Sequence, residues 1–121
     1  MIRQIIFVAI GGAAGSVLRF LAGVLASKWY RGDLPLATLF VNITGCFLIG
    51  ILVAQLPASG SSQVMRLLLI TGFCGGYTTF SAFSYENIQL LNTGQHFTAL
   101  GYIFASVLGG MAAVWLGLKL G

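Results

Sequence analysis

The residues best suited to handle an ion lie in one stretch, from Gly72 to Glu86, inside a long apolar segment. The stretch contains three glycines, two adjacent threonines, two serines and a carboxylate. Gly75 and Gly76 favour a break, because glycine loses more entropy in a helix than other residues. At membrane depth, the backbone groups freed by a break are tolerated only inside protein or beside a hydrated cavity. We therefore expect an ion pathway built on a broken membrane helix.

Phe80 and Phe83 follow this break three residues apart, so both side chains project from one side of the second half-helix. A helix N-terminus and the positive edge of a phenyl ring both favour an anion. The alternative is that the rings face lipid or fill the core. Neighbouring Thr79 and Ser81 make this half-helix too polar to face lipid throughout. We predict that the two rings line an anion path, together with the hydroxyl groups of Thr79 and Ser81.

Other polar side chains interrupt the apolar segments. The amide of Asn42 needs hydrogen-bond partners. Two roles are equally supported: a structural hydrogen bond to another helix, or a position in the lining of a pore. Arg19 is expected to snorkel to the nearer interface, and the sharper alternative places it at a vestibule wall, where it attracts anions. Glu86 is the only carboxylate within a span, which makes it a candidate functional residue. Because it lies near the end of its span, an interfacial or hydrogen-bonded role is at least as well supported. Tyr102 and Ser106 lie four apart and share a helix face.

The composition predicts the elements that must position these residues. Of 121 residues, 58% are hydrophobic and 7% charged, and the mean hydropathy is +0.97, which indicates an all-α integral membrane protein. One domain, 1–121, has room for four spans and for no soluble catalytic domain. A continuous helix over the third span would be ~43 Å long against a ~30 Å core, which also favours a break. The spans are predicted at about 3–26, 36–56, 64–92 and 97–120, with the first retained rather than cleaved.

The remaining charged and reactive residues exclude several functions. The formal charge of +4 comes from too few basic residues for a nucleic-acid surface. No acid pair is present and His96, a predicted solvated loop residue, has no partner, so we expect no enzyme. Cys46 and Cys74 are interpreted as small buried hydrophobes. The basic residues are almost balanced between the two ends of a four-span chain, so both orientations should insert: Arg3, Arg66 and Lys119 at one end, Lys28 and Arg31 at the other.

Three blocks of the sequence carry a family resemblance over the whole chain. The stretch Gly72–Phe83 closely resembles the signature of the bacterial fluoride channels, the Fluc or CrcB family. The block Gly11–Gly15 with Arg19, and the block Thr38–Asn42 with Gly45, are similar to two further family blocks in the same order. The resemblance implies a four-helix membrane protein with a broken third helix, assembled as a dual-topology homodimer of antiparallel copies. It implies two fluoride pores that export cytoplasmic fluoride passively across the bacterial inner membrane.

The resemblance also implies roles for particular residues. Phe80 and Phe83 match the pore-lining pair, and Asn42 matches the pore asparagine. Tyr102 and Ser106 match pore-side positions of the fourth span. The backbone carbonyls of Gly75 and Thr78 match the ligands of a central structural sodium ion. The chain departs from the family pattern at two positions, Ala82 and Tyr77. Neither change removes a required group, and the absence of a hydroxyl at Ala82 shortens any track of hydroxyl groups.

Two other function classes compete with a channel. A small dual-topology proton-coupled multidrug antiporter needs a membrane carboxylate, commonly early in the chain. Here the first span has none and Glu86 comes late. A non-conducting scaffold protein would show no flux when purified. Reconstitution in fluoride-loaded liposomes separates a channel from both alternatives.

Overall fold

The computed structural model describes all 121 residues, and four of its helical segments are long and apolar enough to cross a membrane. The predicted four-span organisation is confirmed, with ends close to the predicted ones. The third span runs over Gly60–Asn92 and is divided in two. In chain order the helices are α1 at Ile2–Trp29, α2 at Leu36–Gln55, α3 at residues 63–77, α4 at Phe80–Asn92 and α5 at His96–Leu120.

The interruption of the third span lies at Thr78 and Thr79. Their backbones are extended, with φ −88° and ψ 157° at Thr78 and φ −152° and ψ 118° at Thr79. A break is thus confirmed. It lies directly after the glycine pair, because α3 continues helically through Gly75–Tyr77. Threonine is β-branched and accepts extended backbone readily. We refer to Thr78 and Thr79 as the break.

Helix α3 changes its winding along its length. A 3₁₀ turn at Gly60–Ser62 precedes it, its first part at Gln63–Arg66 is α-helical, and Leu67–Cys74 form a π-helix. In a π-helix each N–H bonds the carbonyl five residues earlier, a rare arrangement that occurs often at functional sites. The widened segment leads directly into the last turn before the break.

Glycines bring the backbones of α1 and α3 into contact. A Cβ added at Gly72 would lie 3.0 Å from the Cα of Gly11, and one added at Gly76 would lie 3.1 Å from the Cα of Gly12. A Cβ at Gly15 would lie 2.7 Å from the backbone nitrogen of Tyr77. No side chain other than hydrogen fits at such distances. The backbones of α1 and α3 are therefore in direct contact at these positions.

A second glycine contact joins α2 to α5. A Cβ added at Gly50 or Gly117 would lie 3.0 Å from the Cα of the other residue. The largest fully buried side chains are those of Tyr102 and Val41. Cys74 is buried and Cys46 is half-buried, and both thiols are unpaired. Most large apolar side chains face outwards, as expected for helices that contact lipid or another protein.

Candidate ion site at the helix break

Asn42 of α2 pairs with the backbone of the break. Thr79 N–H donates to Asn42 Oδ1 at 2.8 Å, and Asn42 Nδ2 donates to the Thr79 carbonyl at 3.1 Å. In a continuous helix the Thr79 N–H would bond the carbonyl of Gly75. The asparagine therefore bonds across helices, one of the two roles left open from the sequence. The Nδ2 group carries two hydrogens, so one remains for another acceptor.

Thr79 also caps the helix that begins after it. Its Oγ1 accepts a hydrogen bond from Ala82 N–H at 3.1 Å, the usual N-cap arrangement. In a continuous helix Ala82 N–H would bond the carbonyl of Thr78. The carbonyls of Gly75 and Thr78 thus both lose their helix donors. These are the two carbonyls that the family resemblance assigns to a sodium ion, and main-chain oxygens are suitable ligands for such a cation.

Arg19 of α1 reaches the same place. Its Nε donates to the carbonyl of Gly76 at 3.0 Å. The close α1–α3 contact brings this carbonyl within reach of Arg19, and the expected snorkelling of Arg19 to an interface stays a prediction. Arg19 and Glu86 line one cavity of ≈210 Å³ together with Thr38 and Thr79. The two residues assigned to a vestibule are thus neighbours around the break.

Glu86 accepts two hydrogen bonds inside the helix bundle. Thr38 Oγ1 donates at 2.8 Å and Tyr102 OH donates at 2.9 Å. The hydrogen-bonded role considered for this carboxylate is confirmed. Sequence reasoning left Thr38 out of the site, although a signal was present. Thr38 lies one helical turn before Asn42, on the same polar face of α2.

An open groove of ≈530 Å³ gathers most of the predicted ion-binding residues. The Phe80 side chain is 78% exposed, and its ring centroid lies 5.7 Å from that of Phe83. Ser106 lines the groove, and its Oγ is buried and has no hydrogen-bond partner. The predicted site residues that line the groove are Asn42, Gly75, Thr78, Thr79, Phe80, Phe83 and Ser106.

Two of the predicted pore residues, Ser81 and Tyr102, lie off the groove lining. Ser81 is exposed, with its Oγ 3.1 Å from Thr79 Oγ1. Tyr102 is fully buried at 0% exposure, behind Phe83, with ring centroids 5.1 Å apart in an edge-to-face arrangement. Tyr102 thereby connects the Phe83 ring to the Glu86 carboxylate. Tyr102 and Ser106 share a helix face as predicted, but they lie in different environments. Tyr102 is buried in the core, and Ser106 lines the groove.

The N-terminus of α4 determines the electrostatic potential of the groove. The first N–H groups of a helix have no intrahelical acceptor, and the helix dipole places partial positive charge there. Phe80 is the first residue of α4 and lines the groove. No Lys, Arg, Asp or Glu lies among the lining residues. The groove therefore offers an anion several weak donors rather than a full positive charge.

Known proteins resemble this chain over nearly its whole length. The family model described as "CrcB-like protein, Camphor Resistance (CrcB)" matches residues 6–118. A protein of Rhizobium meliloti named fluoride-specific ion channel FluC is 50% identical, over 98% of this chain and 95% of its own length. Proteins of the same name from Flavobacterium psychrophilum and Pseudomonas syringae are 47% and 46% identical, over 96% and 99% of this chain and 94% and 98% of their own lengths.

Proposed function

The chain belongs to the CrcB family, and we propose on this basis that it is a multi-pass membrane channel that conducts fluoride. The single observation in the molecule that best supports this function is the Phe80–Phe83 pair, which lines a groove at the N-terminus of α4. The relatives' printed names point to the same ion. The chain performs no catalysis in this proposal.

Fluoride holds its water tightly, so the pathway must replace that water with several partners at once. The partners we propose are the ring edges of Phe80 and Phe83, the remaining Nδ2 hydrogen of Asn42 and the hydroxyls of Ser106 and Thr79. Each contact is modest. An ion that binds several weak donors can enter and also leave, which conduction requires.

A second, antiparallel copy of the chain is the partner that we propose for the groove. Phe80 is 78% exposed on the groove, and a Cβ at Gly75 would meet nothing within 4 Å. These surfaces are open on one chain, and a second copy would cover them. The nearly balanced basic residues of the two ends favour insertion in both orientations. Two copies would give two equivalent pathways.

A sodium ion fits the centre of such a dimer. Gly75 and Thr78 each present a carbonyl that has lost its helix donor. Two copies related by a twofold axis would bring four such oxygens together, and these would repel one another in a dry interior without a cation. When bound, the ion supplies positive charge that holds the breaks of both copies together. Main-chain ligands imply that the site tolerates conservative side-chain changes.

Passive export is the physiological activity that we propose. Hydrogen fluoride crosses membranes as a neutral weak acid and dissociates in a more neutral cytoplasm, where the anion is trapped. A channel in the bacterial inner membrane lets the anion leave down its electrochemical gradient and so lowers its toxicity. No energy source is needed, so no coupling carboxylate is required.

Efflux from fluoride-loaded liposomes, followed with a fluoride electrode, tests this function directly. We expect the purified protein to release fluoride when valinomycin and potassium provide a counter-current, and to release chloride far more slowly. Absence of fluoride efflux from protein that elutes as a dimer would contradict the proposal. Replacing Glu86 by Gln separates the channel from a proton-coupled antiporter, since a channel can survive the change and proton coupling through that carboxylate cannot.

A further inference from the structure

The contact between Arg19 and the carbonyl of Gly76 has a role that the proposed pathway leaves unassigned. We propose that Arg19 is a positioning residue that fixes the end of α3 at the break, and that it does so as a directional hydrogen-bond donor rather than as a source of positive potential. This inference rests on the proposed channel function for its flux measurements. It extends that function from the groove to the opposite face of the break.

The glycine contact places Arg19 at the break. Gly12 lies against Gly76, and Gly15 lies against the backbone of Tyr77, where α3 ends. Arg19 follows Gly15 by four residues, so it extends the same face of α1 by one turn. The backbones are in contact at that level, and the side chain therefore needs only a short reach to meet the last turn of α3. The glycines bring α1 and α3 close enough for Arg19 to reach the Gly76 carbonyl.

The Gly76 carbonyl needs a donor because the break removes its own. In a continuous helix it would accept from Phe80 N–H, the fourth residue along the chain. Gly76 is not open to the groove, unlike Gly75. A carbonyl left without a donor inside a helix bundle is unfavourable. Arg19 Nε donates to the Gly76 carbonyl at 3.0 Å in place of Phe80 N–H. The carbonyls of Gly75 and Thr78 remain as ligands for the proposed cation.

The identity of the donor atom distinguishes this role from attraction of anions. Nε is bonded to the Cδ atom and has a fixed direction within the guanidinium plane. In lysine the atom at this place along the side chain is the ε carbon, which donates no hydrogen bond. A long-range field would survive the change to lysine and would weaken as salt screens it. A positioning contact depends on the guanidinium and is insensitive to moderate salt.

The experiment compares the parent protein with Arg19→Lys and Arg19→Ala in the liposome efflux assay. Arg66 provides the matched control, because its Nη1 donates to the Leu56 carbonyl at the end of α2, away from the break. We expect flux to fall by about tenfold or more in both Arg19 variants, the scale set by loss of a charged hydrogen bond. Arg66→Ala should keep most of its flux. The parent-to-variant ratio should hold when ionic strength is raised.

Chemical rescue provides the decisive measurement. Guanidinium at low millimolar concentration should restore much of the flux of Arg19→Ala, since it can occupy the space vacated beside Gly76, whereas tetramethylammonium should not. Arg66→Ala should show no such response. Parent-like flux in Arg19→Lys, or equal rescue by both cations, would overturn the positioning role.

Hydrogen exchange gives a readout that is independent of conduction. Amides of the segment 75–82 should exchange faster in Arg19→Lys than in the parent, while those around Gly50 and Gly117 stay unchanged. If the parent conducts no fluoride, the proposed function fails, and the exchange data alone still decide the role of Arg19. Unchanged exchange at the break would refute the inference. Should Arg19→Ala fail to fold, Arg19→Lys and Arg19→Gln carry the same comparison.

Discussion

Two glycine contacts hold this chain together, and they lead to different structures. At one, Gly50 of α2 and Gly117 of α5 let two regular helices touch. At the other, Gly11 and Gly72 bring α1 against a π-helical part of α3 at a similar distance. Both contacts exclude any side chain larger than hydrogen. Close packing alone therefore does not produce an irregular, polar site.

The difference lies in the polar groups that follow the second contact. Beyond Gly15 and Gly76, the helix α3 ends, and Arg19 and Asn42 take over hydrogen bonds that the helix would otherwise make. The α2–α5 contact has no such donors and both helices continue. A break at membrane depth is thus maintained by side chains that substitute for the missing helix bonds. The predictions below compare a residue near the break with a matched residue outside it.

The largest expected effect concerns the aromatic pair. Phe80→Ile or Phe83→Ile keeps most of the apolar bulk and removes the ring edge. We expect fluoride flux to fall by about a hundredfold, equivalent to about 2.7 kcal/mol on the barrier, while the protein stays folded. Phe104, an exposed phenylalanine of α5, is the control, and Phe104→Ile should conduct at the parent rate. Parent rates in both pathway variants would remove the aromatic lining from the proposal.

The glycine contacts themselves provide the second comparison. A Cβ at Gly15 would lie 2.7 Å from Tyr77 N, and one at Gly117 would lie 2.9 Å from Ile51 N. Gly15→Ala and Gly117→Ala should each destabilise the folded protein by about 1–3 kcal/mol through overpacking. Heating in detergent followed by size-exclusion chromatography measures this loss. Only Gly15→Ala should also lower the flux per unit of folded protein, because it displaces the end of α3. Equal flux losses would show that the break has no special dependence on its glycine contact.

The Tyr102 hydroxyl that donates to Glu86 provides a third comparison. Tyr102→Phe removes a buried hydrogen bond to a carboxylate at 2.9 Å, which should cost about 1.5–3 kcal/mol. Tyr85→Phe removes an exposed contact with Gln89 and should change stability little. The same thermal assay compares the two variants. A Tyr102→Phe protein as stable as the parent would mean that the carboxylate finds another donor, and Thr38→Val in that background would then identify it.

The smallest expected effect is loss of the helix cap. Thr79→Val keeps the β-branched shape but removes the oxygen that accepts from Ala82 N–H, at a cost of about 1 kcal/mol. Thr93→Val removes an exposed hydroxyl that bonds back to Gln89, and its effect should be close to zero. Hydrogen exchange at residues 80–83 reports the difference. Equal protection in the two variants would show that the cap does not hold the start of α4.

The sequence predicts most of this fold and part of the site. Four apolar segments, their lengths and a polar stretch in the third are sufficient to predict the spans and the break. The residues that interrupt the helix were harder to predict, since Gly75 and Gly76 stay helical and the missing side chain of Gly76 serves the contact with α1. The partner of Arg19 was also unpredictable, because a hydrogen bond across 57 positions depends on how two helices pack. Thr38 could have been found, from its spacing to Asn42 along one face.

The π-helical part of α3 has a consequence for how this span can vary in length. A π-helix arises when a helix accommodates an additional residue without displacing the turns on either side. Leu67–Cys74 therefore contain more residues than an α-helix would need to cover the same distance between the loop and the break. Removal of one residue from this segment can be absorbed by rewinding it as an α-helix, whereas removal of one residue between Phe80 and Phe83 would rotate the two rings to different sides of α4. Insertions and deletions among descendants of this sequence should accordingly be tolerated before the break and excluded from the first turn after it.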